Sequence, residues 1–196
     1  MGALRLGRRL ALSADADEDA VPPDLTFLLE RHPRATWPTA GSSSAAFWLE
    51  VHAHLRRDAA GLELAADDYA RGRTSPTQLA VIAPPRLRGL VARMHGHHQI
   101  EDTLYFPAFR SEEPRLSAGF DRLERGHLAL NVIVETALAA LAELRAAAER
   151  SAEPATLQLA AARYVDAAAA LCRSLLAHLE EEENLVVPLL IERGNY

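Results

Sequence analysis

One cysteine, no excess of positive charge, no long apolar run and no strand-like alternation set the first limits on this 196-residue chain. Cys172 alone cannot form an internal disulfide, which excludes a cystine-stapled scaffold and fits a reducing compartment. Its expected role is that of a small buried apolar residue. With 21 Lys and Arg against 27 Asp and Glu, a net charge of −6 and a pI near 5.7, the chain lacks the basic face that nucleic acid or an anionic membrane surface demands. No continuous apolar run approaches the roughly 20 residues that would span a bilayer. The opening "MGALRLGRRLALSADADEDA" has arginines but no apolar core before its acidic run, which makes it a poor secretory signal. The expectation is a soluble, cytoplasmic protein with no nucleic-acid or membrane partner.

Runs rich in Val, Ile and Thr with period two are missing as well, so the class is all-α, with alanine and leucine supplying most of the helix propensity. The length suits one well-buried domain. Residues 1–43 lack a sustained helical stripe and contain "VPPD" and "HPRATWPTAGSSS"; they are expected to form an irregular arm, with a short helix only around "DLTFLLER". Residues 44–196 divide into four helical stretches, as an antiparallel up-down-up-down four-helix bundle requires. Ser42 to Ser44 offer N-cap hydroxyls to the first, which runs to about Arg71. In the second, Ser75 and Pro76 open a helix that Pro84 and Pro85 are expected to interrupt.

Taken at alternating steps of three and four, each stretch has an apolar seam broken by few polar residues. The first reads Trp48, His52, Leu55, Ala59, Leu62, Ala66, Tyr69. The second reads Leu87, Leu90, Met94, His97, Glu101, Leu104, Ala108. His127 alone interrupts the third, from Leu116 to Ala148, and His178 and Glu182 interrupt the fourth, from Leu157 to Leu189. Seams of this spacing face neighbouring helices, so six polar residues point into the bundle centre. Distances along the chain to the turns near Gly72, Glu113 and Pro154 are nearly equal on either side, which puts all six at one level.

Two of these stretches echo each other. "HHQIEDTLYFPAF" from His97 and "HLEEEENLVVPLL" from His178 share a His, a Glu four later, an acid after it, a Leu three beyond the Glu and a Pro six beyond it. A spacing of four brings a His and a Glu to one ion. An unpaired carboxylate in an apolar core costs several kcal/mol, and a second nearby adds repulsion; a cation between them relieves both. Imidazole with carboxylate suits iron, manganese or zinc, and the absence of cysteine ligands disfavours a thiolate site. Two carboxylates able to bridge suggest two ions. Pro107 and Pro188 are expected to kink or end their helices just past the site. His54, His95 and His98 fall off the seams and read as solvent-facing or supporting, and Asp102 and Glu183 as candidates to hydrogen-bond the histidines. The rest of "EEEEN" reads as wet surface, and Trp48 and Met94 as core.

The motifs "HAHLR", "HHQIEDTLYFP", "LERGHLALN" and "HLEEEENLVVP", spanning Phe47 to Glu192, resemble those of the hemerythrin-like, or HHE cation-binding, domains. The resemblance implies a four-helix bundle with a non-haem di-iron centre bridged by oxo or hydroxo. His52 and His97 would hold one iron, His127 and His178 the other, and Glu101 and Glu182 would bridge. Where oxygen-carrying hemerythrins have a second histidine four after the first on the third helix, this chain has Asn131. That departure implies only two protein imidazoles on the second iron. It favours binding of O2, NO or peroxide for sensing, carriage or detoxification over oxygen storage. The rival readings are a di-iron enzyme turning over peroxide or oxygen, and a metal store or zinc-stabilised interaction bundle.

Overall fold

Ser75 begins a helix for a reason visible in its side chain. Its hydroxyl accepts from the Gln78 amide at 3.2 Å, while the Gln78 side-chain oxygen accepts from the Ser75 amide at 2.8 Å, a reciprocal capping box with Pro76 in the first turn. The computed structural model, which describes residues 26–38 and 43–194, is all helical, with no strand among the described residues. A short α1 (Phe27–Arg31) precedes α2 (Ser44–Ala70), α3 (Pro76–Ile100), α4 (Phe106–Glu112), α5 (Ser117–Glu149) and α6 (Pro154–Glu192). A π-helical turn, Glu101–Tyr105, joins α3 to α4. The long helices α2, α3, α5 and α6 pack as a bundle in which α2 contacts α3 and α6, and α5 contacts α3 and α6.

Neither the expected interruption of α3 nor an end of α6 at its proline occurs. Pro84 and Pro85 lie inside α3 without breaking it. Pro84 is itself buried among Leu79, Ala83 and Leu87, so packing on one face outweighs the missing backbone hydrogen bonds. Pro188 likewise sits inside α6, flanked by buried Val186, Val187, Leu189 and Leu190, and the helix continues to Glu192. Pro107 occupies the first turn of α4, where a missing N–H costs least.

The π turn changes which residues face inward. The Phe106 amide donates to the Glu101 carbonyl, five residues back, so one extra residue enters the turn. Leu104, expected on the seam, is 60% exposed, and Ala108 is exposed as well. Phe106 and Phe109 are buried instead.

Two apolar clusters flank a polar layer. One gathers residues such as Leu55, Leu87, Met94, Leu130, Leu175 and Leu179; the other gathers Trp48, Phe106, Phe109, Phe120, Leu123 and Leu185. In sequence, His52 falls between Trp48 and Leu55, and His127 between Leu123 and Leu130, so the layer that holds the histidines is sealed above and below. Each fully buried Leu or Phe contributes about 2 kcal/mol relative to exposure. Cys172 is fully buried against the Ala59 carbonyl, the structural role expected of it.

Much of residues 1–43 lies outside the described residues, including the acidic run, "VPPD" and Ser42. Ser43 caps α2 by accepting from the Ala46 amide. The described part of the arm has the short helix expected within "DLTFLLER" and, beyond that expectation, docks on the bundle. It forms α1 and a 3-10 turn, Arg34–Thr36, and packs on α6, with Leu28 buried and Arg31 and His32 both paired with Glu192. By length and hydropathy alone, Pro114–Glu149 is long and apolar enough to cross a membrane. Its buried face packs on α3 and α6.

Ser75→Ala removes half of the capping box and should destabilise the fold by about 1 kcal/mol, read as a lower denaturation midpoint with unchanged steepness.

Candidate metal centre

The four long helices and the π turn deliver nine polar side chains to the layer between the apolar clusters. His52 comes from α2, His97 and His98 from the end of α3, Glu101 and Asp102 from the π turn, His127 from α5, and His178, Glu182 and Glu183 from α6. His52 and Glu182 are fully buried, and Glu101 is 1% exposed. The six residues expected to share a site all meet here. Two sets have ligand atoms within 4.8 Å of one another: His52, His97, Glu101 and Glu182 form one, and His98, His127 and His178 the other.

Each central carboxylate spans both sets. Glu101 Oε1 lies 3.0 Å from His97 Nε2 and its Oε2 lies 3.6 Å from His127 Nε2. Glu182 repeats this, with Oε1 3.0 Å from His52 Nε2 and Oε2 3.6 Å from His178 Nε2. The 3.0 Å contacts are short, yet His52 Nε2, His97 Nε2 and both Glu101 oxygens have no hydrogen-bond partner. His98, His127 Nε2, His178 Nε2 and Glu182 Oε2 are also without partners. Such a concentration of orphaned buried donor atoms is rare in native cores and fits donors converging on cations.

The outer nitrogens, by contrast, are held. His52 Nδ1 lies 3.0 Å from Glu183 Oε1, and His127 Nδ1 lies 2.8 Å from Asp102 Oδ1. A carboxylate at Nδ1 selects the tautomer with the proton there, which leaves the Nε2 lone pair facing the cluster. Asp102 and Glu183 thus do what sequence spacing allowed them. Glu183 is only 2% exposed, which sets it apart from Glu180 in the same acidic run, an exposed residue. Trp48 is core, as expected, and also donates from Nε1 to Glu182 Oε1 at 2.8 Å. Met94 is fully buried core.

His98 is the principal correction. Read from spacing as solvent-facing or supporting, it is 5% exposed and stacks on His127 with ring centroids 3.8 Å apart. It stands four residues after buried Met94 and three before Glu101, a seam step as regular as the one through His97. That alternative step was the signal available. The second set accordingly contains three imidazoles, not two. Asn131 pairs with the exposed His95 (Oδ1···Nε2 3.1 Å), and His54 is an exposed partner of its own helix backbone, as expected for residues off the seam.

The electrostatics of the layer are frustrated. Burial, reinforced by the charge of Glu182, pushes the Glu101 carboxyl up to about 12. Burial also pushes Glu182 up, but His52, His97 and His178 more than reverse this and hold it well below the usual carboxylate range. Burial opposes the charge on His52, yet Glu182 and Glu183 raise it to about 9. Burial lowers His97 and His178 to about 4 and His98 to about 2, with neighbouring imidazoles adding repulsion. Nearby positive charge would reverse the Glu101 shift.

Residues 43–190 match the hemerythrin HHE cation-binding domain. The chain belongs to that family. No curated protein and no solved structure matches it. The family's cations and the orphaned donors of this layer agree: imidazole and carboxylate, without thiolate, make up the donor set of an iron, manganese or zinc site.

Two outcomes follow from the hemerythrin-like layer. A Cβ on Gly126 would lie 2.7 Å from His178 Nδ1, so this helical glycine makes room for the ring. Gly126→Ala should displace His178 and lower metal content, although alanine favours the helix by about 1 kcal/mol; metal analysis beside a circular dichroism spectrum of retained helicity checks it. In the metal-free protein at pH 7, Glu101 (about 12) and His52 (about 9) both hold a proton that ligation displaces. Apparent metal affinity should therefore rise from pH 6 to pH 8, and competition titrations at the two pH values would expose a flat profile.

Proposed function

We propose that this hemerythrin-like chain holds two metal ions, iron in the first instance, at the centre of an antiparallel up-down-up-down bundle, and binds O2, NO or peroxide there. His52 and His97 would hold one ion, His98, His127 and His178 the other, with Glu101 and Glu182 bridging. The observation that carries this reading is the layer of orphaned buried donors in which each carboxylate turns one oxygen to each set. A soluble, cytoplasmic setting without nucleic-acid or membrane partners belongs to the same proposal. Manganese or zinc would fit the same donors.

Bound metals would supply Lewis acidity and, as iron, electrons for a small ligand. The chain's own contribution is orientation and access. Glu183 and Asp102 aim His52 and His127, and the Trp48 hydrogen bond fixes one oxygen of Glu182. A cleft of about 270 Å³ lined by Phe47, Trp48, Val51, Arg93, Ile100 and Tyr105 reaches His97 and Glu101. Its wall is mostly apolar, with Arg93 its one cation, and its size suits a small ligand. This cleft opens on the set with two imidazoles, and a second, of about 510 Å³, touches His178 of the other set.

The test is an optical spectrum of the anaerobically prepared ferrous protein, its metals counted, before air, after air and after degassing. Two irons per chain and a charge-transfer band dependent on the added ligand are expected, with Glu101→Ala and Glu182→Ala each losing at least one iron. Unchanged metal content in both variants would sink the assignment. Steady consumption of peroxide by intact protein would shift the reading to an enzyme, and tight zinc with no response to oxygen would shift it to a structural bundle.

A further inference from the structure

Arg34 links the described arm to the candidate metal layer. Arg34, in the 3-10 turn ahead of the bundle, donates from Nη1 to Glu183 Oε2 at 3.3 Å, from Nε to Asn184 Oδ1 at 2.9 Å and from Nη2 to the Glu180 carbonyl at 3.1 Å. Its guanidinium also lies 4.6 Å from the Trp37 ring centre, and the Trp37 indole is itself tied to the His32 carbonyl at 2.8 Å. The other oxygen of Glu183 accepts from Arg56 and faces His52 Nδ1 at 3.0 Å. Arg34, Glu183 and His52 therefore form one continuous polar chain from the arm to a donor atom of the layer.

We infer that Arg34 is a positioning residue for the His52 metal site, acting through Glu183, and that docking of the arm and filling of that site are coupled. Arg56 restrains one oxygen of Glu183 from within the bundle, and a carboxylate held at one oxygen can still swing about its last torsion. Arg34 holds the second oxygen, and with both fixed the plane of the carboxylate is set. That plane decides how the His52 ring stands, and so where Nε2 aims. A planar guanidinium with several fixed donors suits this task better than an ammonium. Coupling also runs in reverse. A metal that holds His52 in place holds Glu183, and so strengthens the dock that keeps the arm on α6.

This inference rests on the metal reading above, and its test separates the two. Ferrous iron and zinc would each be titrated, against a competing chelator, into the full-length wild type, Arg34→Ala, Glu183→Gln and the double variant. Groups that orient a ligand typically affect metal affinity by about 10- to 100-fold. For Arg34, one step further out, a loss of about 3- to 10-fold is expected at one of the two metals, with the other unchanged. Because Arg34 acts through Glu183, the double variant should bind as Glu183→Gln does. Hydrogen–deuterium exchange of the peptide covering residues 26–38 should slow on metal loading in the wild type and not in Arg34→Ala. Wild-type affinity in Arg34→Ala, or additive losses in the double variant, would overturn the inference while leaving the metal centre standing. A wild type that takes up neither metal would overturn both.

Discussion

The molecule is organised around one electrostatic conflict: two carboxylates and five imidazoles enclosed between apolar layers. Glu101 and Glu182 are almost wholly buried, and among the described residues no Lys or Arg forms an ion pair with either. Taking a carboxylate out of water costs several kcal/mol unless an opposite charge comes with it. Protonated histidine supplies that charge at His52, while its neighbours His97, His98 and His178 are driven neutral by burial and by one another. Cations placed among these donors would turn every one of these conflicts into an attraction. The same side chains then weaken a metal-free bundle and strengthen a loaded one, since a ligand that binds only the folded state stabilises it.

This dependence explains why so much of the site could be read from spacing. Polar residues on an apolar seam are so costly that their positions carry information, and His52, His97, Glu101, His127, His178 and Glu182 all interrupt otherwise regular stripes. The helices were legible for a related reason, since their apolar period is also what packs them. Failures came where a local rule met a tertiary one. Pro84, Pro85 and Pro188 break helices by local sterics, yet burial of their neighbours keeps α3 and α6 continuous. Spacing made Glu183 a candidate to hydrogen-bond a histidine but could not name its partners, since the arm and α2 bring Arg34, Arg56 and His52 to it from 127 to 149 residues away in sequence. His98 was missed because a seam was taken as a single line, whereas the buried stripe at the end of α3 is wide enough for two adjacent histidines.

The π turn is the feature no periodic pattern foretold, and it arranges the site in two ways. It begins at Glu101, so the carboxylate between the two sets stands where the helix widens. The extra residue then turns Phe106 and Phe109 onto Phe120, closing the layer on that side, and leaves Leu104 outside. Asp102, the next residue, reaches across to His127 on α5. An α-helical turn would carry the seam on through Leu104 and Ala108 and would leave the phenylalanines off the core face. Such one-residue insertions recur at functional sites because they re-aim side chains at little cost to the rest of the helix.

The departure at Asn131 looks different once His98 is counted. Spacing implied a second metal with two imidazoles and much open coordination. The fold instead brings a third imidazole to that set from α3, beside His97, and leaves Asn131 to His95 at the periphery. The imidazoles then divide three and two, and the apolar cleft reaches the set with two, past Trp48 and Tyr105. Phe106 stacks on His127 on one side of the three-imidazole set, while a second cleft, of about 510 Å³, touches that set at His178, so a cleft reaches each of the two sets. His98 thus brings to that set the third imidazole that position 131 does not, so the departure at Asn131 is no argument against metal binding there.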